Sequence, residues 1–246
     1  MFRITAIVVA CVALSAACSG GGGLASVSPS APSVARLSRL ARTRFVAFGD
    51  SLTSGEITAP IAGEGGIGKM IVVPSASYPA VLQDALRAAY RAQADAIIVA
   101  NEGKGGETLS DGMRRFDTVF TSTNPDAVLL QEGVNGLAVD GPEVSTEMMR
   151  RMVRRAKDGN AVVFVGSMLP TLANRQRTQN RSALESFNTA LQAMCAQEEV
   201  SYVDLYNGML PQADQLIGID GLHPTEAGYR RIAEIYFAAI KQRLEQ

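Results

Sequence analysis

The sequence predicts an α/β fold: a three-layer α/β/α sandwich with a central, mostly five-stranded parallel sheet. Three observations predict it. Five short apolar runs recur along the chain, at 45–48, 95–100, 126–131, 161–165 and 200–205. Their centres are continuous apolar stretches rather than strict alternations, as in strands buried on both faces. Segments with helical apolar spacing separate them, and a polar or glycine-rich cluster follows several of them, where open parallel sheets place their chemistry.

The N-terminus reads as separate from the fold. Arg3 precedes an apolar run over 4–17, too short for a comfortable membrane span and suited to an export signal. Leu14-Ser15-Ala16-Ala17-Cys18 resembles a bacterial lipoprotein processing site, in which Cys18 would be lipidated and become the first residue. Four glycines follow at 20–23, then a Ser/Pro/Ala-rich stretch. The expected organisation is a signal with that processing site over 1–18, a flexible tether over 19–43 and a folded domain over 44–246.

Within the domain, Phe45 to Phe48 form the first strand, which Gly49 and Asp50 break. Residues 54–75 are glycine-rich and without periodicity, and read as a surface loop near an active-site mouth. A helix is expected over 78–90, with Tyr78, Val81, Leu82, Ala85, Leu86 and Ala89 on one side and Pro79 in its first turn. Further helices are expected over 109–120, 143–157, 179–196 and 225–244, the last buried through Tyr229, Ile232, Tyr236, Phe237 and Ile240. The adjacent glycines of Asn101-Glu102-Gly103-Lys104-Gly105-Gly106-Glu107-Thr108 permit a tight turn with bare backbone donors.

Composition narrows the function. The 246 residues are 47% hydrophobic, enough for a sizeable core, and the net charge of -1 suggests no nucleic-acid surface. Of three cysteines, Cys11 and Cys18 fall in or at the end of the signal, which leaves Cys195 without a disulfide partner in the domain; it lies on an apolar helix face and reads as core. A single histidine, His223, cannot build a histidine-rich metal site, but it can activate one serine. Asp220 stands three residues earlier, close enough to curl back onto the same ring and fix its tautomer. Ser51, just beyond the first strand, is the candidate nucleophile; a capping role for Asp50 or Ser51 and a plain turn at His223 are the alternative readings.

Four blocks, in order, resemble the GDSL, or SGNH, family of esterases and acylhydrolases. Gly49-Asp50-Ser51-Leu52 matches the motif that names it. The second block corresponds to residues 101–108, the third to Gly133-Val134-Asn135, and the last to Asp220-Gly221-Leu222-His223. The resemblance runs from about residue 44 to 244 and implies a flavodoxin-like fold. It also implies Ser51 as nucleophile, His223 and Asp220 as its partners, and Gly106 and Asn135 as oxyanion donors beside the Ser51 amide. Asp50 would hold the turn. Two positions depart from the family pattern: Gly136 replaces the usual aspartate after the asparagine, and Glu107 stands where aspartate is common. The implied activity is a serine esterase or acylhydrolase that cleaves a short acyl or acetyl ester through an acyl-enzyme, with no cofactor or metal. Removal or transfer of acetyl groups on polysaccharides, thioester or phospholipid hydrolysis, and a binding lipoprotein with weakened turnover are the alternatives. The expected partner is a small-molecule or glycan ester. The expected location is the bacterial cell envelope, with membrane association through lipidated Cys18, or simple secretion.

Overall fold

The computed structural model describes residues 38–60 and 68–246. The expected signal, Cys18 and most of the expected tether lie outside the described residues, as does most of the glycine run at 63–68.

The main sheet is built from β1 (Arg44–Gly49), β4 (Ile98–Gly103), β5 (Ala127–Gln131), β6 (Val162–Gly166) and β7 (Ser201–Val203). All pair in parallel, in the order β4-β1-β5-β6-β7. The chain therefore steps outward once from β1 to β4, then reverses to β5 on the other side of β1. That reversal is the topological switch point of a doubly wound sheet, and crevices form at the carboxyl ends of the strands there. The apolar runs are buried as their composition requires: every residue of β5 is buried, and so is all of β1 beyond Arg44.

Helices close both faces. On one, α2 (Tyr78–Ala89) packs against α8 (Glu226–Leu244), with the Tyr78 and Tyr236 rings stacked 5.2 Å apart. On the other, α3 (Leu109–Thr123), α4 (Leu137–Asp158) and α5 (Arg181–Glu198) lie side by side. Their ends are set by local chemistry. Thr108, Asn180 and Thr225 cap α3, α5 and α8 by accepting the Asp111, Ala183 and Gly228 amides. Cys195 is buried in α5, and burial pushes its thiol up to about 12, as suits a core residue. Ahead of β1, Leu40 is buried and pairs antiparallel with Glu245, so residues 39–41 are tied to the chain's last residues.

Several element boundaries differ from expectation. The fifth strand ends at Val203, not Leu205, because Asp204 caps the short helix α6 (Leu205–Met209), which α7 (Ala213–Leu216) follows. Residues 54–75 are not a plain loop: β2 (Glu56–Pro60) and β3 (Gly68–Val72) form an antiparallel hairpin, with Ile57 opposite Ile71 and Thr58 opposite Met70. Each strand is only five residues long, and the glycine run between them masks the alternation. The second strand of the chain's main sheet begins at Ile98, not Asp95, because residues 91–96 form a 3₁₀ turn. Its polar end, Asn101 to Gly103, is drawn into the sheet by pairing with Ala47 to Gly49. Helix α4 starts six residues early and kinks at Gly141, whose non-helical backbone (φ 74°, ψ 166°) accommodates Pro142.

Candidate active site

Ser51 is the first residue of α1 (Ser51–Ser54), a single turn that springs directly from β1. Asp50 caps it, accepting the Leu52 amide at 2.9 Å. Capping and nucleophile placement thus coexist: the cap aims the first turn, and Ser51 stands at the helix start with its amide outside the intrahelical ladder. Asp50 is fully buried. Burial pushes its carboxyl up to about 6, against the downward pull of the Leu52, Gly133 and Val134 amides and of His223.

His223 arrives from the opposite end of the chain. The loop before α8 is closed by an Ile217–Pro224 bridge and by the Gly218 amide donating to the His223 carbonyl at 2.7 Å. Within it, Asp220 Oδ1 accepts the Leu222 and His223 amides, both at 3.0 Å, and this curls the carboxylate onto the ring. Asp220 Oδ2 lies 2.6 Å from His223 Nδ1, and His223 Nε2 lies 2.9 Å from Ser51 Oγ. A carboxylate accepts only, so the Nδ1 atom carries the proton and Nε2 is left to accept from the serine. Burial pushes the Asp220 carboxyl up, but the His223 ring and the Leu222 amide outweigh it and hold it down at about 2. All three side chains are buried, with Ser51 4%, Asp220 2% and His223 1% exposed, so the chain of hydrogen bonds is shielded from competing water.

The segments that carry Gly106 and Asn135 follow the ends of β4 and β5. The Lys104 amide donates to the Gly49 carbonyl at 2.9 Å, pinning the glycine turn beside the residue that precedes Asp50. The Glu107 amide closes that turn onto Lys104. Gly106 has φ +74°, the left-handed conformation a third turn residue requires and glycine supplies without strain. Asn135 donates one amide hydrogen to the Glu107 carbonyl at 3.0 Å. That bond joins the third block to the glycine turn and leaves the second amide hydrogen for another acceptor. Gly136 also has a positive φ, 90°, and a Cβ there would meet Asp140 Oδ2 at 3.3 Å. The backbone here is built for glycine rather than for the family's aspartate. Glu107, the other departure, supports the turn: its buried carboxylate is held by Arg115, whose guanidinium lies 4.2 Å over the Phe48 ring.

Four contributors lie outside the four motif blocks. Arg115 is one. Tyr229 of α8 is another: its hydroxyl donates to the Glu56 carbonyl at 2.6 Å, with the Ser51 carbonyl at 3.4 Å. Glu56, the first residue of β2, brings its carboxylate to 4.0 Å from His223 Nε2. Glu132, one residue past β5, is fully buried with neither oxygen partnered among the described residues. No short-range pattern marks any of the four; only the helical apolar spacing of α8 singled out Tyr229, as core.

Burial first, then the Asp50 and Glu107 carboxylates, push the Glu132 carboxyl well above the usual range. A raised folded-state value means that the folded protein holds this proton more tightly than the unfolded chain. The associated stability is present at low pH and is lost as pH rises from the ordinary glutamate value through the folded one. Glu132→Gln is therefore expected to raise the thermal midpoint by several degrees at pH 8 and by clearly less at pH 4.5. Thermal unfolding of both proteins at the two pH values checks this; an equal shift at both would reject the burial argument.

Asn135→Ala separates two roles for that side chain. Loss of one oxyanion donor typically costs about a hundredfold in turnover, with little change in ground-state binding. Loss of the Glu107 bond alone would lower the thermal midpoint and leave turnover nearly intact. The expected result is a turnover number down roughly a hundredfold in a protein still folded at assay temperature. Steady-state kinetics beside thermal unfolding decide it.

Comparison with known proteins gives the family and the fold. The profile described as the GDSL-like Lipase/Acylhydrolase family matches residues 47–231. The esterase TesA of Pseudomonas aeruginosa is 24% identical over 145 residues, covering 58% of this chain and 69% of its own. Among solved structures, a lipase/acylhydrolase from Enterococcus faecalis superposes with a TM-score of 0.68 at 22% identity, covering 82% of this chain and 97% of its own. An acetylxylan esterase from Geobacillus stearothermophilus superposes with a TM-score of 0.63 at 18% identity, covering 80% and 94%. At such identities the structural likeness speaks for the fold.

Proposed function

We propose a substrate class and a set of residue roles for this chain, which belongs to the GDSL-like lipase/acylhydrolase family and is a carboxylic ester hydrolase. The proposed reaction is removal of a short acyl group, acetyl foremost, from a hydroxyl-rich alcohol such as a glycan. The observation that carries the chemistry is the buried relay from Ser51 Oγ through His223 to Asp220 at 2.9 and 2.6 Å. In this reading His223 Nε2 takes the serine proton as Oγ attacks the ester carbonyl. The Ser51 amide, the Gly106 amide and the free Asn135 amide hydrogen receive the developing oxyanion. Protonated His223, steadied by Asp220, then gives its proton to the departing alcohol. Water repeats the sequence on the acyl-enzyme and frees the acid.

Two observations support a short acyl group and a polar alcohol. A long acyl chain wants an extended apolar lining, whereas the hairpin beside Ser51 begins with the Glu56 carboxylate. The name of the acetylxylan esterase points the same way. A nitrophenyl ester series together with acetate release from acetylated xylan tests the reading. Catalytic efficiency is expected to peak at two to four acyl carbons, with acetate released from the polymer. Efficiency that keeps rising beyond eight carbons would replace it with a lipase-like specificity.

The proposal extends to location: export, processing at Cys18 and anchoring by acyl chains. It rests on the short apolar run that ends at Cys18 ahead of a glycine tether. Among the described residues no helix is long and apolar enough to cross a membrane. Intact-mass analysis of the mature N-terminus tests it; an unmodified N-terminus downstream of Cys18 would mean simple secretion.

A further inference from the structure

Glu56 has no part in the relay, yet it stands at the reaction centre. The chain leaves α1 through Gly55, whose left-handed backbone (φ 92°) turns it back, so that the next residue lies beside the helix that carries Ser51. The Tyr229 hydroxyl then fixes that position by donating to the Glu56 carbonyl. The carboxylate reaches across the site. Oε2 lies 4.0 Å from His223 Nε2, and its side chain is 17% exposed. Oε1 lies against the glycine turn, where a Cβ added to Gly105 would come within 1.8 Å of it. Among the described residues no cation stands within ion-pair distance of it except His223, and His223 only once Nε2 has taken a proton. A partly buried carboxylate without a strong partner is an acceptor seeking a donor.

The chemistry of His223 says which part of the substrate could supply that donor. Nε2 hands its proton to the ester's alcohol oxygen, so that oxygen must lie within a hydrogen bond of Nε2 when the bond breaks. Glu56 Oε2 is slightly further from the same nitrogen. Vicinal hydroxyl oxygens stand about one hydrogen-bond length apart. An alcohol that carries a hydroxyl next to its esterified oxygen can therefore meet both groups at once. The ester oxygen takes the proton from His223 while the neighbouring hydroxyl donates to Glu56. A plain alkyl alcohol leaves the carboxylate unsatisfied, and an acidic alcohol brings a second negative charge against it.

We propose that Glu56 is the specificity-determining residue for the alcohol half of the substrate, selecting esters with a free hydroxyl beside the acylated one and rejecting anionic alcohols. This deepens the esterase reading and rests on it. The bond is charge-assisted and made where the leaving group departs, so it acts on kcat/KM for the whole reaction rather than on breakdown of the acyl-enzyme.

The test uses the full chain and three acetate esters of similar size: 2-hydroxyethyl acetate, propyl acetate and acetoxyacetate, with acetate release followed by NMR. The parent is expected to favour the hydroxyl-bearing ester over the propyl ester by roughly tenfold or more in kcat/KM, and to disfavour acetoxyacetate. Glu56→Ala should bring the first ratio close to one. Glu56→Gln, whose amide oxygen still accepts, should keep part of it. Both should relieve discrimination against the anion. Each ratio is measured within one protein, so a variant of reduced stability still reports. Ratios that stay unchanged in both variants would overturn the proposal. So would an equal fall on all three esters, which would make Glu56 a positioning residue for the relay. Failure of the esterase reading would look different: the parent would release acetate from none of the three and would take up no fluorophosphonate at Ser51.

Discussion

Ser51→Ala is expected to reduce ester hydrolysis by roughly 10⁴-fold or more in turnover while leaving the thermal midpoint close to that of the parent. The size follows from the relay: without Oγ there is nothing for His223 to activate, and the oxyanion donors alone support only slow attack by water. The small structural cost follows from the contacts. The Ser51 side chain's hydrogen bond is to His223 Nε2, whereas the turn itself is held by the Asp50 cap and by the Thr53 and Ser54 amides donating to the Asp50 carbonyl. Alanine keeps all of these, since none uses the serine hydroxyl. A fluorophosphonate probe read by peptide mass is the matching measurement on the parent. Label is expected on the peptide containing Ser51 and is lost in the variant. Label elsewhere, or an alanine variant within tenfold of the parent, would remove Ser51 from the chemistry.

How much of this could be read from the residues depends on whether the cause was local. The apolar strands were legible because burial on both faces leaves little alternation to misread. Phe45 to Phe48 and Ala127 to Gln131 are buried throughout. The approach of Asp220 to His223 was legible because a three-residue spacing suffices for a carboxylate that accepts the Leu222 and His223 amides to curl onto the ring. The hairpin of β2 and β3 was not, because each five-residue strand is stabilised by a partner across a glycine-rich segment rather than by its own pattern. The early start of α4 was hidden for a related reason: Gly141 and Pro142 interrupt the helical pattern before Glu143, and the fold tolerates them as a kink. Glu56, Arg115 and Glu132 are legible only in three dimensions. Arg115 sits on the face of α3 that meets Glu107 and Phe48, and nothing in its spacing distinguishes it from the solvated arginine Arg114. Glu56 owes its position to the reversal at Gly55 and to a hydroxyl from a helix more than 170 residues away.

Asp220→Asn is expected to lower turnover by about 10⁴-fold without dismantling the site, because it changes the proton on the ring rather than the ring's place. In the parent, Asp220 Oδ2 can only accept, so His223 keeps its proton on Nδ1 and offers the Nε2 lone pair to Ser51. Asparagine can keep the two amide bonds of Asp220 Oδ1 through its own carbonyl oxygen, and the loop stays curled. Its NH₂ then points at Nδ1 and donates, which forces the ring proton onto Nε2. A protonated Nε2 cannot accept from the serine, and no carboxylate remains to stabilise the imidazolium. Acidity supplies an independent check. The parent carboxyl, raised by burial but lowered further by His223, lies at about 2. Its contribution to stability is therefore complete above the ordinary aspartate value and lost as pH falls from there toward 2. Asp220→Asn should be less stable than the parent at neutral pH, and the difference should shrink on acidification through that window. Turnover at neutral pH and thermal midpoints from pH 7 down to pH 2.5 test both halves. A variant that loses rate but shows the parent's acid sensitivity would mean that the Asp220 charge orients His223 without contributing to stability. A variant that keeps its rate would transfer the orienting role to another group near His223.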